Sequence, residues 1–413
     1  MKAAQIEDLV ARAETALSPH FKKIDETAFS NQKKVLEAFW KHKISETHLS
    51  ISKGYGYNDR GREALDLVWA DAFEAEAAFV RPHIVSGTHA ITIGLFGLLR
   101  PGDAMLSVTG EPYDTLIGVI GPSQNKNTGS LADFGIKYRQ TELQNGYFDF
   151  GAISDVLRSD RSVKLVYAQK SRGYKPREAI SSESIGELAA FAKSIRPDIY
   201  VAVDNCYGEF VERHEPCFYG ADMVMGSLIK NPGGGMAECG GYIAGTRKAV
   251  ELASYRLTAP LVGTEVGASL GQTANICKGL FLAPHVVAQS LKVAGLAAYI
   301  YESLGYGTSP KYHGERYDIV QSIKFLDEEK LAGFVGGIQS GSAVDSHAAP
   351  EASEMPGYGN KIIMASGSFT QGSSIEISAD APVRPPYTAY MQGSLTYESG
   401  KICLMKALEK ERE

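Results

Sequence analysis

The segment ADMVMGSLIKNPGGG, at residues 221–235, contains the features from which the rest of the chain can be interpreted. A short apolar run ends at Gly226 and Ser227, and its length and flanking glycines are typical of a buried strand. A single lysine, Lys230, follows this run and precedes Asn-Pro and three glycines. This order predicts an amine at the end of a core strand, where burial would lower its pKa and make it a nucleophile towards carbonyl carbon. The alternative is a lysine that points into solvent.

The composition argues against several classes of function. The chain has 413 residues, with 42 basic and 48 acidic side chains and a net charge of −6, and it has no basic block that would bind nucleic acid. Its five cysteines form no CxxC pair, and no other cluster of metal ligands is visible. We find neither a signal peptide nor a transmembrane run, so we expect a cytoplasmic protein that does not bind membranes.

The pattern of predicted elements indicates an α/β protein with two domains and an arm. Residues 1–65 form a predicted helical arm and a loop rich in glycine, tyrosine and arginine. Apolar runs alternate with helical segments over 66–300, which predicts a large domain with a mainly parallel sheet. Strand-like runs between polar and glycine-rich loops then predict a smaller α+β domain over 301–413.

Some local predictions depend on single residues. Pro19 interrupts the helical pattern of the arm, and Pro284 lies inside a long apolar helical stretch, where we expect a kink or a break. The segment GFVGGI at 333–338 is predicted as a strand. Another strand is predicted to run from Val80 to Ser86, with a helix after it.

Polar and aromatic side chains follow directly after several predicted strands. Gly87 and Thr88 open a predicted helix, whose free N–H groups and dipole would suit an anion. Because ligands bind at the carboxyl ends of parallel strands, we expect these side chains to meet at one edge of the sheet. Each has an ordinary alternative, such as helix capping, a turn or a position on the rim. The residues in this position are Ser86, Gly87, Thr88, Tyr113, the loop from Gln169 to Tyr174, Asp204, and the segment from Ser227 to Lys230.

This combination of side chains matches what pyridoxal phosphate requires. The aldehyde of this cofactor forms a Schiff base with a lysine, and its ring nitrogen needs a carboxylate to stay protonated. The phosphate requires a helix N-terminus and hydroxyl groups, and the ring face requires an aromatic neighbour. The sequence therefore predicts a pyridoxal-phosphate site.

From Gly54 to Glu411 the chain resembles the fold-type-I pyridoxal-phosphate enzymes of cysteine and methionine metabolism, which include methionine γ-lyase and cystathionine lyases. Within this group it is similar to the branch named for aluminium resistance. The resemblance implies the fold of PLP-dependent transferases, which is aspartate aminotransferase-like. The segments that carry it are SGTHA at 86–90, EPYDT at 111–115, VDNCYGEF at 203–210, GSLIKNPGGG at 226–235 and ASGSFTQGSSIEISADAPVRPPY at 365–387.

The resemblance also implies roles for individual residues. Lys230 is the implied Schiff-base lysine, which also moves the proton of the substrate's α-carbon, and Asp204 is the implied partner of the pyridine nitrogen. Tyr113 would stack on the ring and assist the leaving group. The implied phosphate ligands are Gly87, Thr88 and Ser227.

Further residues are assigned by resemblance to a clamp loop and to the substrate site. A tyrosine and an arginine of a neighbouring subunit hold the phosphate in this family, and Tyr57 and Arg62 match them best, with Arg60 as the competitor. Arg384 is the candidate for the substrate carboxylate. A clamp from a neighbour implies a homodimer or a homotetramer with active sites at the subunit interface.

The expected activity is that of a pyridoxal-phosphate-dependent carbon–sulfur lyase. It would carry out β- or γ-elimination on a sulfur-containing amino acid such as cystathionine, methionine or cysteine. The alternatives are an aminotransferase or a γ-replacement enzyme with the same cofactor, or a weakly active stress-response homologue. The last alternative is considered because Ile229 replaces a hydroxyl residue of the family next to Lys230.

Overall fold

Helices and strands alternate along most of the chain in the computed structural model, which describes residues 2–121, 127–354 and 360–410. The α-helices are α1 (Ala3–Lys41), α2 (Arg60–Ala72), α3 (Gly87–Leu98), α4 (Asp114–Ile120), α5 (Phe150–Ser159), α6 (Ser182–Ile195), α7 (Arg247–Leu257), α8 (Thr273–Ser303), α9 (Glu328–Gly341) and α10 (Tyr397–Lys410). The strands are β1 (Ala77–Arg81), β2 (Ala104–Ser107), β3 (Lys137–Gln140), β4 (Leu143–Gln144), β5 (Tyr147–Phe148), β6 (Val163–Gln169), β7 (Tyr200–Asp204), β8 (Met223–Ser227), β9 (Gly241–Gly245), β10 (Gly307–Ser309), β11 (Gln321–Lys324), β12 (Ile362–Ser366), β13 (Ser378–Pro382) and β14 (Thr388–Gln392).

The large domain is built on a seven-stranded sheet of order β1-β9-β8-β7-β6-β2-β3. Strands β3, β2, β6, β7 and β8 are parallel, whereas β9 is antiparallel to both of its neighbours. Alternate residues of one strand, such as Met105 and Leu106, belong to separate buried clusters on the two faces of the sheet. Burial on both faces explains why the strands are almost continuously apolar. The predicted α/β fold with a mainly parallel sheet is confirmed.

A second, smaller sheet of order β10-β11-β14-β13-β12 is antiparallel. Its buried face packs on α9 and α10 and on the ends of two long helices, through residues such as Leu17 of α1 and Ile300 of α8. The other half of α1 packs on the large domain through Val35 and Ala38. Both α1 and α8 therefore contribute to two cores, and the predicted domain limit at residue 300 falls inside α8.

Neither long helix breaks at its proline, so the interruption predicted at Pro19 is wrong, and of the kink or break predicted at Pro284 the break does not occur. Helix α1 continues through Pro19, and α8 continues through Pro284. A proline inside a helix costs about 3 kcal/mol because it removes one hydrogen bond and crowds the preceding turn. Here apolar residues on both sides of each proline are buried, and their burial offsets that cost.

Two predicted strand segments are also wrong. Residues 333–338 lie in α9, which begins where the Asp327 carboxylate accepts a hydrogen bond from the Lys330 amide at 2.8 Å. Its buried residues Leu331, Phe334 and Ile338 have helical spacing, which the intervening glycines obscured. The strand predicted to reach Ser86 ends at Arg81, and a turn connects it to α3.

By length and composition alone, α8 could cross a bilayer, because an 18-residue window has a mean hydropathy of 1.4. In the structure 72% of that window is buried inside the protein. Burial against other elements is what a core helix requires, so the apolar character of α8 is explained by packing.

The glycine turn after Lys230 packs directly on the backbone of α8. A Cβ atom on Gly279 would collide with the carbonyl oxygen of Gly233, and one on Gly234 would collide with the carbonyl oxygen of Gly279. Gly234 also has a φ of +52°, which side-chain-bearing residues rarely adopt. Contact between the two backbones therefore fixes the turn that positions Lys230.

We predict that Gly279→Ala destabilises the protein by about 1–3 kcal/mol, because the added methyl group meets backbone atoms that have little freedom to move. Gly336→Ala is the matched control, since it lies in helix α9 and its added methyl group meets no heavy atom within 4 Å. Alanine there should stabilise the helix by about 0.5–1 kcal/mol. Midpoints of denaturant-induced unfolding give both values. Equal midpoints for the two variants would contradict the tight packing of the turn.

Candidate active site

A cavity of about 400 Å³ opens at the carboxyl ends of the parallel strands. Its wall includes Gln169, Asp204 and Ser227, which are the last residues of β6, β7 and β8. These three strands are neighbours in the sheet, and Gln169 pairs with Asp204 in the register. Strand order therefore brings together residues that lie far apart in the sequence.

Most of the candidate residues from the sequence line this cavity. Those that do are Gly87, Thr88, Tyr113, Asp204, Ser227, Lys230 and Arg384. Tyr57 and Arg62 are not among its lining residues in the part of the chain that the structure describes.

One end of the cavity is formed by the N-terminus of α3. The Ser86 hydroxyl caps this helix by accepting a hydrogen bond from the His89 amide at 3.1 Å. The amides of Gly87 and Thr88 belong to the first turn, where a helix has no internal acceptor. A Cβ on Gly87 would lie 3.4 Å from the Cβ of Ser227, so glycine allows the helix end and β8 to approach closely. Free amides, hydroxyl groups and the helix dipole suit a phosphate group.

Lys230 and Asp204 both line the cavity. The Lys230 Nζ atom is 3.7 Å from the centroid of the Tyr207 ring. Asp204 is 4% exposed, and its Oδ1 accepts a hydrogen bond from the Cys206 amide at 3.1 Å. Burial raises the pKa of Asp204, and the charge of Lys230 opposes this effect.

The expectation of a lowered pKa for Lys230 is wrong for the protein by itself. Burial does lower the pKa of Lys230, but interactions with Tyr207, Cys206 and Asp204 outweigh it and raise the pKa above its ordinary value. The sequence indicated that Lys230 is buried, but it did not show which side chains surround its amine. A positively charged group bound next to Asp204 would pair with that carboxylate. The carboxylate would then stabilise the charged form of Lys230 less, and the neutral amine of Lys230 would be favoured.

Tyr113 is held by hydrogen bonds on both its backbone and its hydroxyl group. Its amide donates to Gln169 Oε1 at 2.9 Å, and its hydroxyl lies 2.9 Å from Thr88 Oγ1. Burial raises the pKa of the Tyr113 phenol, and the charge of Asp204 raises it further. Tyr113 therefore stays protonated near neutral pH and can donate a proton.

Arg384 reaches the cavity from the second domain. Its side chain is exposed and lies close enough to Asp114 that its charge lowers the pKa of that carboxyl, which burial raises. A guanidinium at the mouth of a cavity can bind a carboxylate with two hydrogen bonds. This placement is compatible with the role that the resemblance implies for Arg384.

Several residues of the cavity wall had no role predicted from the sequence. Arg172 lies in the loop that follows a predicted strand, and this position at a strand end could have identified it individually as a candidate site residue. Asp380 and Tyr390 lie on β13 and β14 of the second sheet, so only tertiary packing brings them here. The Tyr390 hydroxyl donates to the Tyr174 carbonyl at 2.8 Å, and Ser171 Oγ donates to Asp318 Oδ2 at 2.8 Å. The cavity thus lies between the two sheets.

The two arginines of the predicted clamp loop have different surroundings. Arg62 is 3% exposed, and its Nη1 donates to the carbonyls of Gly56 at 2.6 Å and Gly267 at 3.2 Å. Tyr57 is 64% exposed, and Arg60 is also exposed. Contact of this loop with a neighbouring subunit's phosphate stays a prediction. In this chain Arg60 is the arginine whose surface is accessible to a neighbour.

A buried carboxyl group supports the turn after Lys230. Glu209 is fully buried, its Oε1 accepts a hydrogen bond from the Tyr242 hydroxyl at 2.8 Å, and its carbonyl accepts one from Asn231 Nδ2 at 3.0 Å. Burial raises the pKa of Glu209 to about 8. The group is therefore protonated up to a pH of about 8, whereas a glutamate of the unfolded chain loses its proton near 4.5.

The matches to known proteins agree with this geometry. The structure is similar to the pyridoxal-5′-phosphate-dependent protein YhfS from Escherichia coli, with a TM-score of 0.63, 17% identity and coverage of 94% of this chain and 97% of that one. It is also similar to CalE6, a methionine gamma lyase from Micromonospora echinospora, with a TM-score of 0.59, 17% identity and coverage of 88% and 93%. These likenesses define the fold as that of fold-type-I pyridoxal-phosphate enzymes.

The sequence model of the methionine gamma-lyase family matches residues 6–412, so the chain belongs to that family and is an enzyme of the pyridoxal-phosphate-dependent lyase type. It is 48% identical over 389 residues to YnbB of Bacillus subtilis (strain 168), an uncharacterized protein, covering 94% of this chain and 92% of YnbB. It is also 48% identical to a carbon-sulfur lyase involved in aluminum resistance from Clostridium novyi NT. That comparison covers 98% and 95% of the two chains with a TM-score of 0.95.

The side chains of the cavity fit the cofactor that the family implies. Lys230 supplies an amine, Asp204 a buried carboxylate, and the start of α3 together with Ser227 an anion site, all within one cavity. The added Cβ on Gly87 would occupy space between α3 and Ser227, where a phosphate would need room. We conclude that these residues would hold pyridoxal phosphate.

We predict that Glu209→Gln weakens the pH dependence of stability. Below a pH of about 4.5, the ordinary pKa of a glutamate, both folded and unfolded states keep the proton. Between a pH of about 4.5 and about 8 the unfolded state loses this proton and the folded state keeps it, so the free energy of unfolding of the wild type falls as pH rises. Over this range the free energy of unfolding should fall by about 3–5 kcal/mol more in wild type than in the variant.

Denaturant unfolding at a series of pH values measures this difference. Glu26→Gln, at an exposed carboxyl group of α1, is the control and should follow wild type. Parallel stability curves for wild type and Glu209→Gln would contradict a buried, protonated Glu209.

Proposed function

We propose that this protein is a carbon–sulfur lyase that eliminates the β or γ substituent of a sulfur-containing amino acid, with cystathionine, methionine and cysteine as the candidates. The single observation that carries the proposal is the meeting of Lys230, Asp204 and Tyr113 in one cavity with Arg384 at its mouth. The 48% identity to a carbon-sulfur lyase supports the same activity.

Each of these side chains has a separate task in such a reaction. Pyridoxal phosphate, when bound, supplies a sink for the electrons left at the substrate's α-carbon. Lys230 would bind its aldehyde and, as a free amine, take the proton from the α-carbon. Asp204 would bind the protonated ring nitrogen. Pairing with that positive charge would leave Asp204 less able to stabilise the charged form of Lys230, so the pKa of Lys230 would fall towards neutral pH.

The remaining groups bind the substrate and assist its departure. The Tyr113 phenol is protonated and held at 2.9 Å from Thr88 Oγ1, so it can give its proton to the sulfur that leaves. Arg384 would bind the substrate's carboxylate and orient the α-proton towards Lys230.

The first test follows the link between Lys230 and the cofactor. Wild-type protein with pyridoxal phosphate should show a visible absorption band, and borohydride should fix the cofactor to the peptide that contains Lys230. In Lys230→Ala the covalent attachment should be lost, and kcat/KM should fall by at least about 10²–10⁴-fold because the general base is gone. The control Lys278→Ala removes an exposed lysine of α8 and should match wild type.

Products then identify the reaction. A lyase releases a keto acid, ammonia and a thiol from the amino acid, whereas an aminotransferase or a γ-replacement enzyme yields a second amino acid. A protein that stays colourless with pyridoxal phosphate would refute the proposed function. Absence of turnover on a broad panel of amino acids would favour a weakly active homologue.

We also propose that the active enzyme is at least a homodimer in which the clamp loop of one chain serves the other's site. The exposure of Tyr57 and Arg60 on the loop supports this arrangement, because exposed aromatic and cationic groups are available to a neighbour. A location in the cytoplasm remains an expectation from the sequence.

A pair of arginine variants separates the two roles in the loop. Arg60→Ala should weaken pyridoxal-phosphate binding by about 10–100-fold, because a charge-assisted hydrogen bond is lost. Arg62→Ala should instead lower stability by about 1–3 kcal/mol, because buried carbonyls lose their donor. Spectral titration and unfolding midpoints measure these effects, sedimentation velocity reports the oligomer, and exposed Lys53→Ala is the control. Unchanged cofactor affinity in Arg60→Ala would argue against Arg60 as the phosphate ligand.

A further inference from the structure

A second cavity of about 320 Å³ adjoins the active-site cavity on the side of the smaller domain. We call it the side cavity, and the lining residues used below are Arg172, Tyr174, Lys175, Lys324, Arg384 and Tyr390. All of these except Lys324 also line the active-site cavity. The two cavities therefore adjoin each other at these side chains, next to the cavity that contains Lys230.

The two cavities differ in charge. Among the described residues, the side cavity is lined by the cationic groups of Arg172, Lys175, Lys324 and Arg384 and by no carboxyl group. The active-site cavity has a mixed wall, in which the carboxyl groups are Glu111, Asp114, Asp204 and Asp380. A space with cations only has a positive potential that attracts anions and repels ammonium groups.

Arg172 lies on the wall that both cavities share. It is 1% exposed, and its Nη1 donates to Ser309 Oγ and Ser322 Oγ, each at 3.1 Å. Its Nε and Nη2 have no hydrogen-bond partner among the described residues. A buried donor without an acceptor costs about 1–3 kcal/mol. No carboxylate among the described residues lies within ion-pair distance of this guanidinium, so its positive charge favours an anion in the adjoining cavities.

More positive charge lies behind this wall. Burial lowers the pKa of Arg177 and of Arg316 to about 10. In both cases the positive charge of Arg172 lowers the pKa further, and the negative charge of Asp318 raises it. Arg172 therefore interacts electrostatically with both Arg177 and Arg316, and each of these two interacts with the carboxylate of Asp318.

Lys324 is the cation that belongs to the side cavity alone. It is the last residue of β11, its side chain is exposed, and no described carboxylate lies within 4.0 Å of its Nζ. Lys175, in contrast, lies 3.9 Å from Glu111. Lys324 can therefore be changed without altering the wall of the active-site cavity.

We propose that the side cavity binds an anionic group carried by the substrate's leaving group. The preferred substrates are then amino acids whose sulfur bears a substituent that ends in a carboxylate or another oxyanion. This inference rests on the proposed function. It separates such substrates from methionine, whose substituent is neutral, and from cystathionine, whose distal end also carries an ammonium group.

In the elimination from such a substrate, atoms and charges balance with water as the only further reactant. For a β substituent, Lys230 takes the α-proton, the bond between the β-carbon and sulfur breaks, and the thiolate takes up a proton and leaves as a thiol. Water hydrolyses the remaining unsaturated amine to a keto acid and ammonia. The anionic group stays on the thiol, so the side cavity holds the leaving group until the bond has broken.

The test uses the holoenzyme with a charged thioether and its neutral isostere, S-(2-carboxyethyl)-L-cysteine and S-(2-carbamoylethyl)-L-cysteine. In wild type kcat/KM should be about 10–100-fold higher for the carboxylate, as expected for hydrogen bonds to a charged group. Lys324→Ala should reduce this ratio by about 3–10-fold and leave the carbamoyl compound within about 2-fold of wild type. Lys324→Arg should restore the preference, and exposed Lys361→Ala should not alter it.

A binding measurement keeps this inference separate from the proposed function. Calorimetric titration with glutarate, which has no amino group or sulfur, should show tighter binding to wild type than to Lys324→Ala. If no thioether is cleaved but this difference is present, the lyase activity fails and the anion site remains. If both thioethers are cleaved equally and Lys324→Ala changes neither, the lyase activity remains and the side-cavity proposal is overturned.

Inorganic phosphate distinguishes a free anion from a leaving group. Phosphate should compete with the carboxylate substrate and inhibit cleavage of the carbamoyl compound much less. If phosphate binds with the same dependence on Lys324 while the thioethers show no charge preference, the side cavity holds a free anion and our proposal is wrong.

Discussion

The site depends on the electrostatic interaction between Asp204, the last residue of β7, and Lys230, which follows β8. Lys230 and Asp204 face one cavity because β7 and β8 are adjacent and in parallel register. An isolated charge inside a protein costs several kcal/mol, so each of these groups requires the other or a ligand that replaces it. The Tyr207 ring, 3.7 Å from Nζ, adds a cation–π contact that helps hold the amine in place.

Lys230 is in turn held by contacts between main chains. The turn after it packs on the backbone of α8 at Gly279, and Asn231 is bonded to the carbonyl of buried Glu209. Backbone contacts and buried hydrogen bonds allow less movement than side-chain packing does. An amine that must reach both a cofactor and a substrate needs this precision of placement.

The smaller domain contributes to the chemistry as well as to the architecture. Arg172 is bonded to Ser309 and Ser322 of the second sheet, and Tyr390 is bonded to the loop after β6. The shape of the active-site cavity therefore depends on how the two sheets pack. The same packing creates a side cavity lined by cations beside an active site of mixed charge, and this difference suggests how the enzyme selects among thioethers.

The sequence by itself determined the order of helices and strands in the large domain and the residues at the strand ends. Parallel strands send their carboxyl ends to one edge, so Asp204, Ser227 and Lys230 could be placed together from order alone. Local pattern failed where packing outweighs it, as at Pro19 and in the glycine-rich helix α9. Only the tertiary structure decided that Arg62 is engaged by its own loop, that the pKa of Lys230 is raised, and that Arg172 and Tyr390 meet at the cavity. These outcomes depend on distances between side chains from separate sheets, which the periodicity of a sequence does not encode.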